Sequence, residues 1–278
     1  MELVVTDLDG TLLNCETYSF AEVAPGLESI TQRGTPLVLC TSKTRVEVEF
    51  WRKRLDNRDP FIVENGGAVF VPATSLPGPI IAPAHWGEYS VWELGTPYPD
   101  LVRALQEASR KTRCRVRGFF DMTVQEVAEA CQMTPAEAAL AKDRGYDEPF
   151  LILDAARTDF LLAAIRESGG HWTRGGRFYH ITGDNDKAKA VCLLVELYRK
   201  AQFDVFTIGL GDGLNDASFL NLVDLPILIR SPFIDQLMAK VSRGIATEFP
   251  GPRGWNEAIL RIFARKSEDC RGSNSSLL

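Results

Sequence analysis

The sequence predicts an α/β fold in which both ends of the chain build one parallel-sheet core around a smaller inserted α+β unit. Three observations predict it. Short β-rich runs alternate with helical stretches at the start of the chain, the pattern of a parallel sheet covered on both faces. The alternation stops at Pro72–Pro83, which holds four prolines and one glycine in twelve residues and reads as a linker or domain edge. It resumes from Asp186 and runs on toward the end of the chain.

The elements follow in order. Leu3–Thr6 reads as a buried strand, closed by the polar turn Asp9-Gly10-Thr11, and a helix is expected from Ala24 to Gln32. Leu37–Cys40 is a second strand, Thr44–Leu55 a charged amphipathic helix and Phe61–Val63 a third strand. Glu64-Asn65-Gly66-Gly67 is a tight-turn signal, so Ala68–Val71 is expected to return as a hairpin strand.

Beyond the prolines, Ser90–Leu94 suggests a strand and Leu101–Lys111 a helix. Thr134-Pro135-Ala136-Glu137 is a capping box with proline at the first helical position, opening a helix toward Arg144. Phe150–Leu153 reads as a strand, Phe160–Glu167 as a helix and Arg177–Thr182 as a strand. Then come the helix Lys187–Lys200, the apolar strand Val205–Leu210, a short helix Asn215–Leu222, the strand Ile227–Ile229 and the helix Glu257–Ala264. The expected domains are a discontinuous core, 1–82 and 183–265, and an inserted cap, 83–182. Residues 266–278, rich in Ser, Asn and Gly, are expected to be a disordered tail.

Composition narrows the function. Of 278 residues, 45% are apolar and 24% charged, and the net charge of −6 comes with no basic stripe for nucleic acid. No apolar run approaches the ~20 residues of a membrane helix. The start of the chain has no signal-peptide pattern, so a cytoplasmic enzyme is expected. Six cysteines lie scattered without CxxC spacing and read as reduced thiols.

The chemistry gathers at strand ends. Asp7 and Asp9 follow the first strand in Thr6-Asp7-Leu8-Asp9-Gly10-Thr11. Two carboxylates so close need neutralising, which a hard divalent cation such as Mg2+ does, and a carboxylate is also a competent nucleophile toward phosphorus. A solvated Asx turn is the alternative. Gly211-Asp212-Gly213-Leu214-Asn215-Asp216 follows another apolar strand. There Asp212 completes a metal shell and Asp216 orients it, or else the loop is a glycine-rich helix cap. A dinucleotide loop fails, because position 214 is leucine where GxGxxG needs its last glycine. Thr41 and Ser42 sit between a strand and a helix, where hydroxyls and amides grip phosphate oxygens. Lys187 opens a helix, a poor place for a cation unless it serves an anion.

This ordered set, DxDGT, Thr-Ser, Lys and GDxxND, resembles the haloacid dehalogenase superfamily of phosphatases. The resemblance implies a Rossmann-like core with a mobile cap of type IIB. It makes Asp7 the nucleophile, Asp9 the acid and base, and Thr41 and Lys187 the phosphoryl grips. Mg2+ is then held by Asp7, Asp9 (through its backbone carbonyl), Asp212 and Asp216. Glu64-Asn65-Gly66-Gly67, Thr41-Ser42-Lys43-Thr44, Arg144-Gly145-Tyr146-Asp147-Glu148-Pro149 and Gly175-Gly176-Arg177-Phe178-Tyr179-His180 further resemble mannosyl-3-phosphoglycerate phosphatases. That resemblance implies a phosphorylated sugar-glycerate as substrate, with Ser42, Asn65, Arg177, His180 and Asn215 contacting it. Gly145 departs from the family, which carries glutamate there. Trp86, Trp92 and Trp172 are expected to pack, with sugar stacking as the alternative. A broad sugar-phosphate phosphatase, a phosphomutase and a non-catalytic phosphosugar-binding module stand as competing readings.

Overall fold

The computed structural model describes residues 1–76, 81–174 and 177–272, with side chains described as far as residue 264. The chain divides into two compact units, Met1–Leu37 with Val205–Leu278, and Val38–Asp204.

The first unit carries four parallel strands in the spatial order Ile245–Pro250, Leu225–Arg230, Phe206–Gly211 and Glu2–Thr6. Leu3, Val4 and Val5 are wholly buried, as a strand covered on both faces requires. The first strand pairs in register with the third, Val5 opposite Gly209 and Thr6 opposite Leu210. The helices Ala24–Arg33 and Gly251–Gly272 pack together through the buried Trp255, and Asn256 Oδ1 accepts the Gly26 amide at 2.8 Å. Trp255 Nε1 in turn donates to Thr6 Oγ1 at 3.1 Å, tying the last helix to the end of the first strand.

Three features of this unit differ from expectation. The strand Ile245–Pro250 and the helix Ile234–Lys240 had no clear sequence signal. The short helix splits into a 3-10 turn, Leu214–Asp216, and Ala217–Leu220. The last helix continues through Gly272 into the stretch read as a disordered tail. Extending an anchored helix needs no new nucleus, so a polar sequence suffices. Residues 273–278 lie outside the described residues.

In the second unit Leu37–Cys40 runs parallel to Phe61–Val63, and Ala68–Pro72 turns back antiparallel as expected. Tyr89–Glu93 then pairs antiparallel with Ala68–Pro72, and Ala84–Trp86 with Tyr89–Glu93. Tyr89–Glu93, expected near the start of the cap, thus hydrogen-bonds to a strand on the far side of the proline-rich stretch. Phe61 and Phe70 stack across these strands at 4.9 Å, and Tyr89 meets both rings edge-on at 5.4 and 5.8 Å, so this aromatic cluster stabilises the pairing. Of the proline-rich stretch, 77–80 lie outside the described residues.

A second, antiparallel sheet has the order Val116–Gly118, Glu148–Ile152, Tyr179–Thr182, His171–Arg174. The helices Tyr98–Thr112 and Thr158–Glu167 bury Leu101, Leu105, Leu161 and Ile165 in one cluster with its Phe150 and Ile181. Val124–Cys131 and Pro135–Ala141 form a separate cluster around Phe119 and Phe178. Lys187–Lys200 follows, with Asp186 Oδ1 accepting the Lys189 amide as its N-terminal cap.

Candidate active site

In the first unit Asp7 sits one residue beyond the strand Glu2–Thr6, almost fully buried, its amide bound to the Leu210 carbonyl at 2.9 Å. The next turn is tight: Gly10 N donates to Leu13 O and Thr11 N to Leu8 O, with half-buried Asp9 inside it. Gly10 has φ +78°, and a Cβ there would stand 2.6 Å from Asp212 Oδ2. Only glycine both adopts that conformation and leaves room for the Asp212 carboxylate.

Asp212 is held from three sides. Thr11 Oγ1 donates to its Oδ1 at 2.9 Å, Ser231 Oγ donates to its carbonyl at 2.8 Å, and its own amide donates to Asp216 Oδ2. Asp216 is fully buried and also accepts the Gly213 amide at 2.9 Å, so it shapes the loop that carries Asp212. Asp7, Asp212 and Asp216 each offer a carboxylate oxygen, and these oxygens lie within 4.8 Å of one another. A cluster of anionic oxygens with no nitrogen or sulfur donor suits a hard divalent cation, which also relieves their mutual repulsion. The side chain of Asp9 is not part of that cluster.

In the second unit the segment after Leu37–Cys40 carries the buried Thr41 and half-buried Ser42. Glu64, Asn65 and Gly66 brace it with three successive left-handed residues, φ 47°, 55° and 87°. This conformation costs about 1–2 kcal/mol at each non-glycine residue, a mark of a site whose surroundings over-determine it. It lets Glu64 N reach Lys43 O and Asn65 N reach Thr41 O, both at 3.0 Å. Gly66 is obligatory, since a Cβ there would meet the Asp186 carbonyl oxygen at 2.1 Å. Asp186 immediately precedes the buried Lys187, so the turn fixes Thr41 and Lys187 in one framework.

A buried polar network fills the space beside this turn. Glu64 accepts the Gly145 and Tyr146 amides at 2.8–3.0 Å, and burial pushes its pKa up to about 7 against the opposing pull of Arg144. Arg144, its side chain almost fully buried, donates to the carbonyls of Asp147 and Ser42, at 2.6 and 2.8 Å, and pairs with Asp147 Oδ1 at 3.2 Å. Asp147 is inaccessible to solvent. Burial works against its charge, but His180, Arg144 and the Asn65 amide outweigh it and hold the carboxyl below its ordinary range. Asn65 Nδ2 donates to Asp147 Oδ2 at 2.6 Å, and His180 Nδ1 lies 2.8 Å from Oδ1. Glu148, also pushed up to about 7 by burial, accepts the Tyr98 hydroxyl and the Phe120 amide.

Residues 4–75 match the haloacid dehalogenase-like hydrolase family. Over 272 residues the chain is 39% identical to a glucosyl-3-phosphoglycerate/mannosyl-3-phosphoglycerate phosphatase of Methanococcoides burtonii, covering 95% of this chain and 98% of that one. A protein of the same description from Persephonella marina is 40% identical, with 96% and 99% covered. The chain belongs to this phosphatase family. As a haloacid dehalogenase-like phosphatase it is a phosphoric monoester hydrolase. Its fold matches a solved subclass IIB sugar phosphatase at TM-score 0.65, 16% identity, and 94% and 99% coverage. No helix among the described residues is long and apolar enough to cross a membrane.

Within this phosphatase the structure distributes the expected site residues unevenly. Asp7, Asp212 and Asp216 come together, with half-buried Asn215 between the last two. Thr41, Asn65 and Lys187 share the turn framework, and His180 joins Asn65 through Asp147. Arg177 does not join them. It precedes the strand Tyr179–Thr182 and is exposed, its guanidinium on the Ala130 carbonyl and Gln132 Oε1. Gly175 and Gly176 of the same run lie outside the described residues. Trp172 lies on the antiparallel second sheet under Arg166, whose guanidinium lies 4.8 Å from the ring centroid.

Sequence reasoning passed over Glu64, Asp147 and Glu148 as site residues. The available signal was Tyr146-Asp147-Glu148 followed, after Pro149, by the apolar Phe150-Leu151-Ile152. Acids at the entrance of a buried strand must be partnered, and such partnering is concentrated at sites.

Proposed function

We propose that this enzyme hydrolyses a glycosyl-3-phosphoglycerate, with glucosyl or mannosyl as the sugar, releasing glycosylglycerate and inorganic phosphate. The observation that carries the reading is Asp7, a buried carboxylate at a strand end clustered with Asp212 and Asp216, in a chain about two-fifths identical to phosphatases of these esters.

A carboxylate oxygen of Asp7 attacks phosphorus, and the bond from phosphorus to the glycerate oxygen breaks. Asp9, protonated at that moment, gives its proton to the departing oxygen. The phosphoryl group then rests on Asp7 as an acyl phosphate. Asp9, now a carboxylate, takes a proton from water as that water attacks phosphorus, and the bond to Asp7 breaks to free phosphate. Thr41 and Lys187 hold the phosphoryl oxygens through both steps. Asp7, Asp212 and Asp216, with the Asp9 carbonyl, would hold Mg2+, whose charge lets an anionic nucleophile approach an anionic ester.

The test is phosphate release from glucosyl- and mannosyl-3-phosphoglycerate beside plain sugar phosphates, with Mg2+ and with chelator. Preference for a glycosyl-phosphoglycerate, lost with chelator and lost in Asp7→Asn, is expected. Equal rates across the panel would sink the substrate reading, and turnover in Asp7→Asn would sink the nucleophile.

A further inference from the structure

We propose that Asp147 is a positioning residue for substrate recognition: it fixes His180 as the Nδ1–H tautomer and leaves Nε2 as a hydrogen-bond acceptor for a substrate hydroxyl. The identity of that substrate rests on the reading above; the tautomer does not.

The geometry runs in one direction. Asp147 is immobilised before His180 is considered, because Arg144 binds both its carbonyl and its carboxylate and Asn65 Nδ2 holds Oδ2. Arg144 is anchored in turn on the Ser42 and Ala141 carbonyls. The carboxylate so held offers only acceptors, so the nitrogen of His180 facing it at 2.8 Å, and 3.1 Å from the second oxygen, must carry the proton. That nitrogen is Nδ1. Neutral imidazole then has Nε2 as its lone acceptor.

His180 is only 8% exposed, so this is no solvated surface ring. Among the described residues its hydrogen bonds are those of Nδ1 to Asp147, and Nε2 is not among the buried atoms lacking a partner. A merely structural role for Asp147 would be met by Arg144 and Asn65 alone. The histidine on the neighbouring strand adds a group whose remaining nitrogen can still take a ligand. Through Asn65, whose amide binds the Thr41 carbonyl, the same carboxylate ties the His180 strand to the phosphoryl-gripping segment.

Two measurements test this. In substrate-free wild-type protein, long-range 1H–15N correlation of the histidine rings, with His180 assigned by His180→Gln, is expected to show the proton on Nδ1 in the neutral form. A proton on Nε2 overturns the proposal, and this measurement needs no known substrate. In kinetics, Asp147→Asn is expected to raise KM about tenfold with kcat changed much less, the size of one lost neutral hydrogen bond. The same change made in His180→Gln is expected to shift KM less than about twofold. Equal effects in the two backgrounds would mean that Asp147 does not act through His180. If wild type releases no phosphate from glycosyl-3-phosphoglycerates, the substrate reading fails while the ring measurement still decides the tautomer.

Discussion

At the scale of single residues, the carboxylate cluster of Asp7, Asp212 and Asp216 depends on an atom that is missing. Gly10 has no Cβ, and the space one would fill is 2.6 Å from Asp212 Oδ2 and 3.0 Å from its Cγ. Asp212 cannot simply swing aside, because Thr11 and Ser231 hold its carboxylate and its carbonyl. Gly10→Ala is therefore expected to act twice. The left-handed conformation costs about 1–2 kcal/mol of stability, and displacement of Asp212 raises the Mg2+ concentration for half-maximal activity by roughly tenfold or more. Chemical denaturation and a Mg2+ titration of phosphate release read the two effects separately. An unchanged Mg2+ requirement would show that Asp212 tolerates displacement.

At the scale of elements, the turn Glu64–Gly66 makes a prediction about pH. Burial raises Glu64 from 4.5 to about 7 in the folded protein. The folded state thus binds its proton more tightly than the unfolded chain does, so its contribution is complete below about 4.5 and is lost as pH rises toward 7. Glu64→Gln removes the titration while keeping one acceptor for the Gly145 and Tyr146 amides. The stability of wild type relative to this variant is expected to fall by on the order of 2 kcal/mol between pH 4.5 and 7. Denaturation midpoints across that window check it, and a constant difference would mean that Glu64 ionises freely in the fold. The same elements show what a sequence reveals. Thr134 and Glu137 form the capping box read from their spacing, and Asp7, Asp212 and Asp216 follow the strands Glu2–Thr6 and Phe206–Gly211. These signals are local. The pairing of Tyr89–Glu93 with Ala68–Pro72 is not, because strand partners are chosen by cross-strand packing at a distance in sequence. Asp147 and Glu148 were opaque for a related reason: a charge looks solvated until its buried partners, here Arg144, His180 and Tyr98, are known.

At the scale of the whole molecule, the chemistry is divided between two compact units that a ligand or a substitution should perturb separately. The Asp7, Asp212 and Asp216 carboxylates belong to the unit formed by the two ends of the chain, and the Glu64 network belongs wholly to Val38–Asp204. A cation bound only by the folded cluster adds about 2.7 kcal/mol at a hundred times its dissociation constant. That energy belongs to the opening events that break the cluster. Mg2+ is therefore expected to slow hydrogen exchange, by up to about a hundredfold, at the Asp7, Asp212 and Gly213 amides, which bind Leu210 O and Asp216 Oδ2. Glu64→Gln is expected to speed exchange at the Gly145 and Tyr146 amides that Glu64 accepts, without changing the Mg2+ effect at Asp212. Exchange measured with and without Mg2+, in wild type and in Glu64→Gln, separates the two. Equal Mg2+ protection at Gly145 and at Asp212 would show instead that both units open as one cooperative body, and the metal would then stabilise the Glu64 network as much as its own ligands.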